Sequence, residues 1–339
     1  MKITRKYIWL FLLLSMIAAL IFSLSSGVEE IGLMQLLNTF SDSDISPDQT
    51  NIIYNFRLPK SLAALFCGSS LAVCGLLMQT LFRNPLAGPY VLGINSGANL
   101  FVSVFLMGTT SIEIIGLSDI KQFGLPVFSM LGSFTALLFI LLISKRIKNS
   151  TTILLTGIML GFFYSALQGL IEYFSNPVEL KNFTVWSMGN FSSISWSELQ
   201  IFIPVSVLGI CVSFFLVKAL NNYLLGNNYA KSSGTNIIRT RWLIITITGF
   251  LSGITVAYCG PVAFVGLIVP HISRMIFKTS NHAVLIPASA LCGGILLLLC
   301  DSLGSFFSRD FTLPINIITS LVGAPFVIWI MLNKTNQYR

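Results

Sequence analysis

The sequence predicts an all-α polytopic membrane protein of about ten transmembrane helices, with both termini in the cytoplasm. Three observations predict it. Apolar residues fill 54% of the 339 positions and charged residues only 9%, and the mean hydropathy is +0.83; a soluble domain carries about 25% charged residues. Apolar stretches alternate with short polar loops along the whole chain. Finally, the charges sort by side. With the N-terminus inside, fifteen of the twenty Lys and Arg fall on the inner side, and all twelve carboxylates fall outside or at the outer ends of spans. The rule that orients membrane helices counts Lys and Arg in short cytoplasmic loops, so fifteen against five sets the orientation. The acid sorting lies outside that rule, but one misplaced span would scramble it, and it therefore checks the span count.

A hydrocarbon core about 30 Å thick needs roughly 20 apolar residues per helix. In order, the expected spans are 7–24, 61–81, 91–107, 125–143, 153–172, 199–217, 242–257, 262–270, 283–299 and 315–332. The first follows Lys2, Arg5 and Lys6 like a secretory signal, but it exceeds the usual signal core of about 7 to 15 residues, and a retained span is favoured. The eighth is short and broken. Without it Arg274 and Lys278 would move outside, so it is kept as an irregular crossing that other helices must bury. Trp9, Trp242 and Trp329 fall near inner ends, and Trp186 and Trp196 in an external loop, as an aromatic belt requires.

Three loops are long. Segment 25–56 is external and acidic, with a short helix expected around 34–40; segment 173–198 is external and holds an amphipathic piece. Segment 218–241 is the largest inside, and there Gly226 and Gly234 bracket a stretch long enough for two short helices. No linker separates a second soluble domain, so 1–339 reads as one membrane domain. The second span, through Gly75 to Asn84-Pro85 and Gly93, is echoed in the seventh, through Gly253 to Gly260-Pro261 and Gly266. The two cross in opposite directions, as in an inverted repeat.

Candidate chemistry is sparse. The net charge is +8, but no contiguous basic face exists, which excludes a nucleic-acid partner on the footprint criterion. The six cysteines lie in or beside apolar spans without metal-ligand spacing and read as small hydrophobes, so no metal site is expected. No ionisable residue occupies the middle of a span, which argues against a proton- or sodium-coupled carrier. There is no HExxH and no GxxxxGK[ST] phosphate loop. If ATP drives this protein, another chain binds it, and catalysis by this chain is not expected. His271, after Pro270, reads as a local cap at a cytoplasmic boundary.

Gly157, Gly161, Ser165 and Gly169 form a stripe of small residues at four-residue spacing on the fifth span. It suits either close helix packing or passage of a bulky solute. Ala64, Gly68, Ala72 and Gly249, Gly253, Ala257 read as packing stripes. Among the few external cations, Arg57 and Lys60 share a helix face where the second span begins. They suit headgroup anchoring or sockets for carboxylates of an external partner.

Five ordered motifs then carry a resemblance over nearly the whole chain: RLPKSLAALFCGSSLAVCGLLMQTLFRNPLAGPYVLGINSGANL (57–100), LTGIMLG (155–161), WSMGNFSSISW (186–196), GPVAFVGLIVPHISRM (260–275) and TLPINIITSLVGAPFVIWIM (312–331). Together they resemble the FecCD-type permeases of ABC importers, which take up ferric siderophores, haem and cobalamin. The resemblance implies a transport subunit in the cytoplasmic (inner) membrane of a bacterium, most simply a ferric-siderophore permease, with cobalamin or haem as alternatives. It implies a second permease subunit (a copy or a paralogue), two ATP-binding cassette ATPase subunits that hold the ATP and Mg, and an external substrate-binding protein. By resemblance, Arg57 and Lys60 match docking positions, and Ser150 and Thr151 match the inner gate, with Gly157, Gly161 and Ser165 along the pathway. Segment 224–237, with Gly226, Ala230, Ser233 and Gly234, resembles the coupling helices that engage the ATPase. The pattern departs at Ser305 and Thr312, where an Arg and a Glu are usual; Arg309, one turn beyond Ser305, is the expected substitute. Asn227 and Asn228 stand where acids are common. An ion-coupled carrier and an integral-membrane enzyme are the competing classes.

The topology has a direct test. A cysteine at position 231 (Lys231→Cys) is expected to resist a membrane-impermeant thiol reagent in intact cells and to react once the membrane is opened.

Overall fold

In the computed structural model, residues 2–26, 47–108, 120–147, 149–307 and 313–336 are described, and every regular element among them is helical. The helices are α1 (Lys2–Ser25), α2 (Pro47–Ile52), α3 (Leu58–Phe82), α4 (Ile94–Gly108), α5 (Ile120–Arg146), α6 (Ser150–Tyr173) and α7 (Pro177–Ser187), followed by α8 (Trp196–Phe214), α9 (Val217–Leu224), α10 (Asn227–Ser232), α11 (Ile237–Cys259), α12 (Val265–Phe277), α13 (His282–Phe307) and α14 (Ile315–Asn336). Seven are long and apolar enough to cross a membrane, and three shorter apolar helices, Ile94–Gly108, Val265–Phe277 and Ile315–Ile330, bring the set to ten.

Helix α3 is the centre. Its apolar window is 83% buried within this single chain, against 22%, 17% and 22% for α1, α6 and α8. It touches α8, α11, α12 and α13. Lipid tails are as apolar as leucine, so helices associate here through close backbone approach rather than through the hydrophobic effect. A Cβ built on Gly68 would fall on the Gly293 carbonyl of α13, and one on Gly75 would fall on the Gly266 carbonyl of α12. The same device joins α4 to α5 at Gly97 and Gly132. The Ala64–Gly68–Ala72 stripe therefore does pack, and so does the Gly249–Gly253 stripe, against Leu137 and Ser133 of α5.

Upstream, α3 is extended by a π-helical turn, Ile53–Arg57, and by α2, giving a nearly continuous helix over Asp48–Phe82. The second crossing thus begins before position 61, because Ile52, Arg57 and Leu58 all keep helical φ and ψ and the helix runs through Pro59 rather than starting at it. The wide turn is served from outside its own ladder: the Trp196 indole N–H donates to the Tyr54 carbonyl at 2.8 Å.

The eighth crossing also differs from the expected 262–270. Gly260 and Phe264 adopt positive φ, 71° and 66°, so the chain stays irregular up to Phe264 and α12 runs on to Phe277. His271 consequently lies in the middle of α12, not at a boundary. The break is sheltered. Pro270 offers no N–H to the Gly266 carbonyl, and Gln79 of α3 fills the gap, its Nε2 donating to Gly266 O at 3.3 Å and Leu267 O at 3.0 Å. The Ala263 N–H donates to Asn316 Oδ1 at 3.1 Å. The third crossing shows the related pattern of a 3-10 turn, Pro89–Leu92, then Gly93 at φ 72°, then α4.

Inside, Gly226 and Gly234 bracket one short helix, α10; the other, α9, precedes Gly226. Nine residues between and including the two glycines hold only one helix with its caps. The helix expected around 34–40 lies outside the described residues. Five cysteines are buried among apolar neighbours and Cys211 is exposed.

Gly75→Val is expected to lower stability by about 3 kcal/mol, the upper end of the usual overpacking cost, because the clash is with backbone that cannot step aside. Gly169→Ala, with nothing within 4 Å of the added methyl, is expected to leave stability unchanged. Thermal unfolding of both variants in detergent checks the pair.

Candidate functional site

The residues singled out fall into an outer cluster, a face of α6 and an inner segment. At the outer end, Arg57 closes the π turn and is only 8% exposed. Its Nη1 donates to the carbonyls of Leu24 at 2.9 Å and Ser25 at 3.1 Å, at the C-terminus of α1. They belong to the last turn of α1, where the helix dipole favours a cation. One turn on, Lys60 Nζ lies 3.1 Å from Asp301 Oδ2 and 3.1 Å from Ser305 Oγ, both on α13. The Ser23 and Ser61 hydroxyls add a buried 2.8 Å bond between α1 and α3. Arg57 and Lys60 are thus neighbours, as their spacing implies, but both are engaged with α1 and α13. Arg309 lies outside the described residues. Ser305, where the resemblance expects an arginine, serves here as a partner of Lys60.

On α6 the small-residue stripe divides in two. Gly157 seats the 3-10 turn, since a Cβ there would fall on the Val91 carbonyl, and Gly161 lies against Gly93 and Ser96. Ser165 is exposed, and Gly169 has nothing near it. The inner half is therefore a packing seat and the outer half an open furrow. Beside it run exposed apolar side chains, among them Met159, Phe162, Phe163 and Leu170. At the inner end, Asn149 caps α6 by accepting the Thr151 N–H at 2.9 Å. Thr151 is exposed; Ser150 is the first helical residue, and its side chain is outside the described set.

The inner segment is α9 followed by α10. Gly226, at φ 118°, starts α10 and Gly234, at φ 79°, ends it. Ala230 is fully buried beneath the helix, while Leu225, Tyr229, Lys231 and Ser233 face outward. Buried Tyr223 donates its O–H to the Ile237 carbonyl at 2.9 Å; burial pushes its phenol up, which keeps that proton in place. Asn222 Nδ2 donates to Thr235 Oγ1 at 2.8 Å. The segment is thus knitted to itself. Arg83, the left-handed cap of α3, fastens it to the bundle by donating to Tyr223 O at 2.9 Å and Asn227 Oδ1 at 3.0 Å. Along the sequence Arg83 is one of the fifteen inner Lys and Arg and nothing more, and nothing there marks Gln79. The Gly-free turn RNP after a long apolar run was the available signal for Arg83.

The outer pair gives a quantitative expectation. Lys60→Met strands the Asp301 carboxylate and is expected to cost about 3 kcal/mol, the lower end for a broken buried pair because both groups keep some exposure. Adding Asp301→Leu is expected to recover most of that loss, as read by a double-mutant cycle on thermal unfolding.

Against known proteins, the model of the FecCD transport family matches residues 13–333. The vitamin B12 import system permease protein BtuC of Salmonella arizonae is 34% identical over 285 residues, covering 83% of each chain. Its counterpart in Salmonella typhimurium is also 34% identical, over 83% of this chain and 84% of the relative. Among solved structures, a metal-chelate type ABC transporter in an inward-facing conformation superposes with TM-score 0.84 at 31% identity, over 97% of this chain and 99% of that one. PsaBC from Streptococcus pneumoniae gives TM-score 0.55 at 15% identity, over 86% and 94% of the two chains, a likeness of fold alone. A family match that runs from within α1 into α14 covers the ten crossings and both ends of the bundle: this chain belongs to the FecCD transport family.

Proposed function

We propose that the chain is the transmembrane permease subunit of a binding-protein-dependent ABC importer, moving a metal chelate into the cytoplasm with ATP hydrolysed on a separate subunit. The observation that carries this reading is the inner segment. It is a short helix held on a fold-anchored seat with an exposed face of Leu225, Tyr229 and Lys231, which is what a soluble motor needs in order to push on a membrane bundle. The relatives' roles in vitamin B12 import and the likeness to a metal-chelate transporter support it.

In this reading Gly226, Ala230, Ser233 and Gly234 shape the surface met by the ATPase, which holds the ATP and Mg. Two permease subunits, copies or paralogues, meet along faces that include α6, whose apolar window is only 17% buried in the single chain. Ser150 and Thr151 lie at the inner gate, and Gly157, Gly161 and Ser165 along the path between the subunits. An external binding protein docks at the outer end of α3. There a partner carboxylate competes with Asp301 for Lys60, Arg309 supplies a second cation, and Arg57 holds the platform. The assembly resides in the inner membrane of a bacterium. The pathway candidates are apolar or small and neutral, which suits a large chelate better than a bare cation needing fixed ligands. Ferric siderophore is the cargo the family resemblance favours; a corrinoid is the second reading, favoured by the vitamin B12 relatives.

In proteoliposomes containing the chain with its ATPase and supplied with the external binding protein, uptake of a ferric hydroxamate or of cyanocobalamin is expected to require ATP and to survive collapse of proton and sodium gradients. Gly226→Val, which forces a β-branched residue to φ 118°, is expected to abolish uptake while the external binding protein still binds. Gradient-driven accumulation by the chain alone would overturn the reading.

A further inference from the structure

The inner end of α3 carries a second fastening, and it is chemically more demanding than Arg83. His282, the first residue of α13, is 1% exposed, and Thr80 of α3 is 3% exposed. Asn221 of α9 completes the group. Its Oδ1 accepts the His282 backbone N–H at 3.0 Å, and its Nδ2 donates to Asn281 Oδ1 at 3.0 Å. The backbone N–H can only donate, so the Asn221 oxygen faces the imidazole. His282 Nδ1, 2.8 Å from that oxygen, must then carry the ring proton. In the neutral ring Nε2 is left as an acceptor, and it lies 2.8 Å from Thr80 Oγ1. Thr80 Oγ1 is also 2.8 Å from the Leu76 carbonyl. A hydroxyl has one proton. The Leu76 carbonyl keeps the backbone N–H of the α-helical ladder whichever way that proton turns, whereas Nε2 of the neutral ring needs a donor, so the hydroxyl proton serves the ring.

We propose that His282 is a positioning residue that couples the inner segment to the central helix: a rigid two-ended bridge from Asn221 of α9 to Thr80 of α3, built on the first residue of α13. The inference rests on the importer reading above and names residues beyond the exposed coupling face. Three elements meet at one planar side chain, so a displacement of α9 reaches α3 and α13 together. Arg83 grips the same segment at Tyr223 and Asn227, and with two attachment points α9 cannot pivot about either alone. The force then travels as a rigid-body movement, because α3 is locked to α13 at Gly68 and Gly293 and to α12 at Gly75 and Gly266. A bridge needs both ends. Glutamine at 282 places its amide near the Nε2 position and keeps the Thr80 end, whereas asparagine reaches only the Nδ1 position and keeps the Asn221 end.

The test uses the assembled transporter, with ATP hydrolysis and uptake measured together. His282→Gln and His282→Asn are each expected to assemble and hydrolyse ATP at the wild-type basal rate, while uptake per ATP falls at least about tenfold, the usual scale of a coupling between sites. Hydrolysis is also expected to lose its response to the loaded external binding protein. Thr80→Val, which removes only the hydroxyl, reads the same link if a histidine variant fails to accumulate, and Thr80→Ser is expected to restore coupling. Wild-type uptake per ATP in Thr80→Val, or in both histidine variants, would overturn the proposal while leaving the importer reading intact. Uptake by the unmodified assembly that ignores ATP would instead remove the importer reading itself.

Discussion

Backbone-to-backbone contact at the crossings of α3 is the constraint on which the rest of this molecule depends. In a bilayer the association of helices rests on close van der Waals approach, and at Gly68–Gly293 and Gly75–Gly266 no side chain stands between the main chains. That closeness shelters the irregular entry to α12. Non-helical backbone is tolerated at membrane depth only where protein buries it. Here a side chain of α3 reaches the carbonyl that Pro270 leaves without a donor. Gln79 also accepts from Arg274 Nη1 at 2.6 Å, so one buried amide holds both halves of α12 to the central helix.

The two ends of α3 are fastened by different chemistry. At the outer end, Arg57 and Lys60 bind α1 and α13 through charge-assisted bonds. At the inner end, Arg83 and the Thr80–His282–Asn221 group bind α9. A stiff element gripped at both ends, with backbone locks between them, transmits displacement along its length. This is the mechanical property required if hydrolysis below the membrane is to alter a site reached from above.

The periphery has the opposite character. Helices α1, α6 and α8 bury little within the chain and display broad apolar faces to lipid or to another subunit. On α6 the division of one stripe into a packed inner half and an open outer half follows from the position of the Val91–Gly93 turn, which covers Gly157 and stops short of Ser165.

The helical class, the number of crossings, their order and the family were all legible in the chain itself. Hydropathy acts residue by residue against the bilayer, so it survives without knowledge of any contact. The packing stripes at Gly68 and Gly249 were legible for the same reason, since small residues at helical spacing define a face wherever that face goes. Tertiary structure alone decided where the charges are engaged. Lys60 meets Asp301 and Arg57 meets the end of α1 only because helices distant in sequence converge. It likewise decided where α12 begins, which carbonyl Gln79 serves, and that His282, silent in the sequence, stands between α3 and α9. Those are properties of juxtaposition, and periodicity along a chain carries no record of which helix will lie beside which.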